Sequence, residues 1–140
     1  MAVDIGHGAA FKRGNADGPP ETFTAIGAVV SISGPGMSKD TVDVSTLAST
    51  ARYREFISGM RDSGEITIEC NFDPGDSDMD NALTDFEADA ARSYQIAWAD
   101  GSTFGFEGIL TGWEPGTPLD DKMTMGLTYK LTGQPTYTQA

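Results

Sequence analysis

The sequence predicts one mainly β domain, a sandwich or barrel, with a single α-helix packed against its sheet. Several segments alternate apolar and polar residues with the period of two that a half-buried strand requires. One segment repeats its apolar residues with helical spacing. The length of 140 residues favours one domain, and 17 glycines and seven prolines supply turns between strands.

The N-terminal residues 1–21 show no apolar period and include the turn sequence Gly18-Pro19-Pro20. A segment of this kind predicts a flexible arm without a core of its own. We therefore divide the chain into an arm over residues 1–21 and a β-rich domain over residues 22–140.

The first strand is predicted over residues 22–33, where apolar residues alternate until Gly34-Pro35-Gly36 ends the run. Residues 64–72 alternate more regularly, with acidic, amide and hydroxyl side chains on the opposite face. The apolar face of this second strand consists of Ile66, Ile68, Cys70 and Phe72.

The helix is predicted over residues 78–90, with Asp76 or Ser77 as its N-cap. Its acidic first turn suits the positive end of the helix dipole. The apolar stripe consists of Met79, Ala82, Leu83, Phe86 and Ala90.

Three strands are predicted after the helix. The first ends at Trp98, and Asp100-Gly101 then favours a hairpin turn. The second covers about residues 103–113 and ends at the turn Glu114-Pro115-Gly116. The last strand alternates over residues 122–131.

A connection over residues 34–63 is much longer than usual, and long loops of this kind tend to be functional. A short strand is predicted within it at Thr41–Ser45. Apolar side chains beside arginines suit docking onto another copy of an acidic chain. The alternative is a flap that packs on the protein's own core. The candidate interface residues are Arg52, Tyr53, Arg54, Phe56, Ile57 and Met60.

The bulk chemistry disfavours several classes of function. With 21 acidic and nine basic residues, the formal net charge is -12, which disfavours phosphate binding and anionic membrane surfaces. Cys70 is the only cysteine and lies on an apolar strand face, and His7 is the only histidine. No nucleophile–base pair or cofactor motif is evident, so we predict neither an enzyme nor a cofactor. The N-terminus has no secretory pattern, which favours a cytoplasmic origin.

A calcium site is a weak alternative. Asp76, Asp78, Asp80 and Glu87 occupy positions one, three, five and twelve of an EF-hand loop. Position six is Asn81 where that loop needs glycine, and a continuous helix would separate Glu87 from the aspartates. An acid-rich helix start is therefore the favoured interpretation.

From about Thr22 to Tyr137, the chain resembles the tail tube (major tail) proteins of long-tailed bacteriophages, particularly the non-contractile kind. The order and spacing of common turns and strands carry the resemblance. The matching stretches are Arg54-Glu55-Phe56-Ile57-Ser58-Gly59-Met60, Asp62-Ser63-Gly64, Glu65–Phe72, Asp73-Pro74-Gly75, Tyr94-Gln95-Ile96, Ala99-Asp100-Gly101-Ser102, Phe106-Glu107-Gly108, Gly112-Trp113 and Leu131-Thr132-Gly133-Gln134-Pro135.

The resemblance implies a sandwich-like barrel, the tail tube fold, with a flanking helix and a long inter-strand loop. It also implies hexameric rings that stack into a hollow tube, through which viral DNA passes without specific binding. The loop over residues 34–63 would reach an adjacent ring. Implied partners are other copies, the tape measure protein and a tail terminator, within a virion tail assembled in the bacterial host cytoplasm.

Several alternatives to a phage tube subunit stay open at this point. The chain could be another tail component, such as a terminator or decoration protein, or a tube protein of a type VI secretion system. More distant alternatives are a calcium-binding or carbohydrate-binding β-module.

Overall fold

Antiparallel β-strands and one α-helix make up the described part of this computed structural model, which covers residues 8–14, 23–26 and 29–140. The predicted mainly β fold class is confirmed. The elements are β1 (Ala10–Gly14), β2 (Phe23–Ala25), β3 (Val29–Ser33), β4 (Ser38–Asp43), a 3₁₀ turn (Thr50–Arg52), β5 (Phe56–Asp62), β6 (Glu65–Asn71), α1 (Ser77–Glu87), β7 (Arg92–Ala97), β8 (Thr103–Gly116) and β9 (Thr124–Thr138).

Seven of these strands form one antiparallel sheet in the order β2-β1-β7-β8-β9-β6-β3, and β4 and β5 form a separate hairpin. The sheet curls, because β1 near one edge approaches β3 at the other edge. The Ile26 N–H donates to the Phe11 carbonyl at 2.8 Å, which ties β1 to the chain entering β3. The result is a barrel-like sheet whose interior holds the core.

The core follows the predicted alternation most clearly in β6. Ile66, Ile68 and Cys70 are fully buried, and the residues between them are exposed. Four aromatic rings from other strands pack beside them, with the Tyr94 and Tyr129 centroids 4.6 Å apart. Because offset and tilted ring pairs add to the effect of buried area, this cluster stabilises the centre of the barrel. The rings belong to Phe11, Tyr94, Phe106 and Tyr129.

The helix α1 begins one residue before the predicted start and ends at Glu87, three residues before the predicted end. The Asp76 side chain caps it by accepting a hydrogen bond from the Asp78 N–H at 3.0 Å. The buried face consists of Met79, Ala82 and Asp85, whereas Phe86 is exposed. The predicted apolar stripe is therefore wrong at Phe86, because the helix turns a carboxylate towards the sheet in its place.

The predicted arm over residues 1–21 is wrong for Ala10–Gly14, which form β1 between β2 and β7. Phe11 is fully buried in the core. A strand this short has too few apolar residues to show a period, and its place is set by the hydrogen-bonding edge of β7. Of the other residues of the predicted arm, Gly8 and Ala9 are described, and residues 1–7 and 15–21 lie outside the described residues.

The predicted strand over residues 22–33 is two strands, β2 and β3, at opposite edges of the sheet. The register of β3 against β6 shifts between Val29 and Ser31. Val29 and Ile32 therefore both pack against the core while Val30 is half-exposed, which breaks the predicted alternation.

The predicted turn at Glu114-Pro115-Gly116 is wrong, because β8 continues through Pro115 and pairs with β9 up to Gly116. Beyond Gly108, no described strand pairs with β8 on its β7 side. Proline is tolerated on such an open edge, because its missing N–H leaves no ladder partner unsatisfied. The chain turns instead at residues 117–123, and β9 extends to Thr138.

Candidate subunit interface

The long connection forms a β-hairpin that stands apart from the main sheet. In it, β4 pairs antiparallel with β5, with Val42 opposite Ile57 and Asp43 opposite Phe56. The short strand predicted at Thr41–Ser45 overlaps β4, but β5 was not predicted. The apolar residues of β5 have the spacing expected of a helix, so the local sequence does not predict a strand. The segment is a strand because it pairs with β4.

The base of the hairpin is fixed to the sheet. The Ser63 hydroxyl donates to the Gly133 carbonyl at 2.7 Å, and the Leu131 N–H donates to the Gly64 carbonyl at 3.0 Å. Gly64 has a φ of 80° and lies so close to Gly36 that any side chain would overlap the Gly36 backbone. The absence of a side chain at Gly64 therefore allows the two ends of the hairpin to approach each other this closely.

An exposed ion pair adds to the attachment of this base. The Lys130 ammonium lies 2.9 Å from the Asp62 carboxylate. The hydrogen bond from Lys130, followed by that from the Gly64 N–H, holds the pKa of Asp62 below its ordinary value. Since both side chains are well exposed, solvent screens this pair, and it contributes less than the backbone contacts.

The distal loop of the hairpin, residues 44–55, is held by its own side chains. Ser45 accepts a hydrogen bond from the Glu55 N–H at 2.7 Å, and its own N–H donates to Asp43 at 2.9 Å. Hydrogen bonds from Ser45 lower the pKa of Asp43. Ala51 and Arg52 both have positive φ, so the 3₁₀ turn reverses the chain sharply before β5. The loop therefore has a defined shape that presents Arg52 and Arg54 to solvent.

The structure brings the six candidate residues onto this one hairpin, and all of them are exposed. Phe56 and Ile57 are neighbours on β5, so their side chains lie on opposite faces of the hairpin. Exposure of this extent does not fit a flap packed on the protein's own core. Four further apolar side chains in the hairpin or directly before it are exposed, although the sequence reasoning did not single them out: Met37, Val42, Val44 and Leu47.

A second constellation joins β1, α1 and β7 around the buried carboxylate of Asp85. Arg13 donates to it from Nε at 2.6 Å and from Nη2 at 2.7 Å. Arg92 Nε lies 2.9 Å from the same carboxylate, and the Tyr94 hydroxyl donates to it at 3.0 Å. The hydrogen bond to Asp85 raises the pKa of Arg13, and burial raises the pKa of Tyr94. Because both oxygens of the Asp85 carboxylate have partners within the protein, this cluster serves packing.

The other chemistry considered from the sequence does not assemble into a site. Asp76 caps α1, while Asp78, Asp80 and Glu87 lie along that helix. No group of three or more His, Cys, Asp or Glu side chains in residues 8–14, 23–26 and 29–140 could hold a metal ion. Burial raises the pKa of the Cys70 thiol, and His7 lies outside the described residues. Within the same ranges, no helix is long and apolar enough to cross a membrane.

The described residues thus form a curled sheet with one flanking helix and a projecting hairpin. The sequence matches the lambda phage tail tube protein family over residues 6–138. The chain therefore belongs to this family, and the resemblance noted from the sequence is confirmed. No curated protein matches the chain in sequence.

Solved structures share the fold at low sequence identity. A subunit from the tail of an empty gene transfer agent particle, with C6 symmetry, is 20% identical, with a TM-score of 0.77 over 98% of this chain and 100% of its own. A sheath/tube terminator structure of an extracellular contractile injection system gives 0.76 at 12% identity, with 99% of each chain covered. The SPP1 tail tube gives 0.69 at 7% identity, covering 94% of this chain and 77% of that one.

Proposed function

We propose that this chain is a tail tube subunit that forms hexameric rings, which stack into a hollow conduit for DNA. The observation that carries the proposal is the projecting hairpin. It exposes apolar side chains and arginines that the protein's own core does not cover. Apolar anchors with arginine are the composition expected at the centre of a protein–protein interface. The family assignment and the C6 symmetry of the similar gene transfer agent tail support the ring.

The acidic balance of the chain suits a conduit. A wall that attracted phosphates would hold DNA through counterion release, whereas a net charge of -12 disfavours such binding. DNA would therefore pass through the lumen without a specific site.

The proposed role is structural, without catalysis, in a virion tail that assembles in the bacterial cytoplasm. The partners are further copies of the chain, a tape measure protein and a terminator that caps the tube. Among the similar structures, tube terminators occur in an extracellular contractile injection system and in the anti-feeding prophage cap.

A tail terminator is the second candidate, because one of the similar structures is described as a sheath/tube terminator and has a TM-score of 0.76. Electron microscopy of the purified protein separates the two functions. A tube subunit gives long hollow cylinders, whereas a terminator gives single rings that do not stack.

The hairpin is tested by Phe56→Ala, with Phe86→Ala on α1 as the matched control. The two side chains are 53% and 45% exposed, so either truncation should change the free energy of unfolding little. Loss of an interface anchor costs about 2 kcal/mol or more, so Phe56→Ala should block tube growth and Phe86→Ala should not. Ile57→Ala, on the other face, tests whether both faces dock. Normal cylinders from both hairpin variants would contradict the proposed interface.

A further inference from the structure

A groove lies where the base of the hairpin meets a bulge in β9. Its volume is about 780 Å³, which falls in the range of roughly 300–1,000 Å³ typical of clefts that hold ligands. The bulge arises because Gly105 pairs with Thr136 but Glu107 pairs with Thr132, which leaves Gly133–Pro135 outside the ladder. The groove is lined mainly by residues from the hairpin base and the bulge, among them Met37, Asp40, Met60, Arg61, Asp62 and Leu131.

The lining is apolar at the floor and charged at the rim. Leu131 is buried at the floor, and the exposed side chains of Met37 and Met60 form a wall. Methionine adapts its shape to an inserted side chain. At the rim, Lys130 pairs with Asp62, whereas Arg61 and Asp40 form no ion pair with any residue in the described part of the chain. The rim thus has one charge of each sign available to a partner.

A complementary segment lies at the opposite end of the sheet in the same molecule. The β8–β9 loop over residues 117–123 carries a fully exposed leucine, Leu119, followed by Asp120, Asp121 and Lys122. It therefore offers an apolar side chain for the floor and charges of both signs for the rim. Leu47 in the distal loop is exposed to the same degree, but the basic residues of that loop, Arg52 and Arg54, have the same charge as Arg61 at the rim.

The loop cannot reach the groove of its own chain. Glu65 pairs with Lys130 at the hairpin end of β6, and Asn71 pairs with Thr124 at the loop end. Six residue steps along a strand separate these ends by about 20 Å. Only a second copy can therefore place its loop in the groove, and such a contact joins opposite ends of two molecules. Head-to-tail contacts of this kind extend into rings or filaments.

We propose that the groove at the hairpin base receives the residue 117–123 loop of a second copy, with Leu119 on Leu131 and the acids facing Arg61. This inference rests on the proposed tube-forming function, because it names the surface that one copy offers to the next.

The test is a disulfide between two separately purified variants, Leu119→Cys and Met60→Cys, mixed before assembly. Oxidation by dissolved oxygen with a copper catalyst removes two electrons and two protons from a thiol pair, and oxygen accepts both. The buried Cys70 does not react, since burial disfavours its thiolate. We expect a covalent dimer in the cylinders, and only in the mixture. The matched control is Leu47→Cys mixed with Met60→Cys, which should give several-fold less dimer.

A charge exchange provides the second measurement. Arg61→Glu should slow cylinder formation, and Asp120→Arg with Asp121→Arg in the mixed partner should restore it. Normal cylinders without the Leu119–Met60 dimer, or with a stronger Leu47–Met60 dimer, overturn the inference but leave the proposed function intact. If wild-type protein forms no cylinders at all, the proposed function fails and the inference fails with it.

Discussion

The packing of β1, α1 and β7 against one another depends on the carboxylate of Asp85. It is almost fully buried on α1, and it accepts hydrogen bonds from Arg13 of β1 and Tyr94 of β7. Arg92 completes the cluster and also donates to the Gly14 carbonyl at 2.9 Å, at the end of β1. A buried charge is tolerated only when its partners are all in place. This cluster, together with Phe11, therefore attaches the short strand β1 to the domain.

Arg13→Met removes two hydrogen bonds to this buried acceptor and should lower the free energy of unfolding by about 1–3 kcal/mol. The measurement is urea denaturation followed by tryptophan fluorescence. Lys12→Met on the same strand is the control. Lys12 forms no ion pair with Asp85, so this substitution should change stability little. Equal stability of the two variants would show that Arg13 does not attach β1.

The hairpin differs from the main sheet in having only two strands. An isolated pair of strands is marginally stable in water, and β4 and β5 pair only with each other. Its backbone is nevertheless set at the base by Ser63, Gly64 and Leu131, and in the distal loop by Ser45. The hairpin is therefore oriented in the single subunit, so that docking orders side chains more than backbone.

Hydrogen exchange should show this difference directly. In the unassembled subunit, amides of the β4–β5 ladder should exchange faster than those of β6, which lies between β3 and β9. In assembled cylinders the hairpin amides should become slow, while those of β6 change little. Hairpin amides that exchange equally in both states would contradict docking of this element.

At the scale of the whole molecule, charge is unevenly distributed. The chain has a formal net charge of -12, but the hairpin is neutral over residues 38–62. Its four basic residues, Lys39, Arg52, Arg54 and Arg61, balance its four acidic residues, Asp40, Asp43, Glu55 and Asp62. A neutral projection can approach an acidic neighbour without the repulsion that the rest of the surface would meet.

Replacing Arg52 and Arg54 together with Glu makes this hairpin acidic and should weaken assembly through like-charge contacts. Moderate salt should partly restore assembly, because it screens exposed charges. Sedimentation measures assembly, and a gel shift on the same samples measures DNA binding, which should be negligible for wild type and variant alike. Tight, salt-sensitive DNA binding by wild type that the variant loses would assign these arginines to nucleic acid instead.

The amino-acid sequence by itself determined the fold class, the buried face of β6 and the position of the helix. These features depend on local periodicity, which is strong at Ile66, Ile68 and Cys70 and at the capped start of α1. The family resemblance was also available from the order and spacing of short stretches. The candidate interface residues were found because apolar side chains and arginines cluster in an unusually long connection.

Only the tertiary structure decided the features that depend on a distant partner. β1 is a strand because β7 offers it an edge, and Phe56 and Ile57 lie on opposite faces because β4 pairs with β5. Asp85 is buried because arginines from two other strands meet it there. Hydrogen bonding between strands and pairing of buried charges are non-local interactions. They therefore cannot be predicted from the periodicity of any one segment.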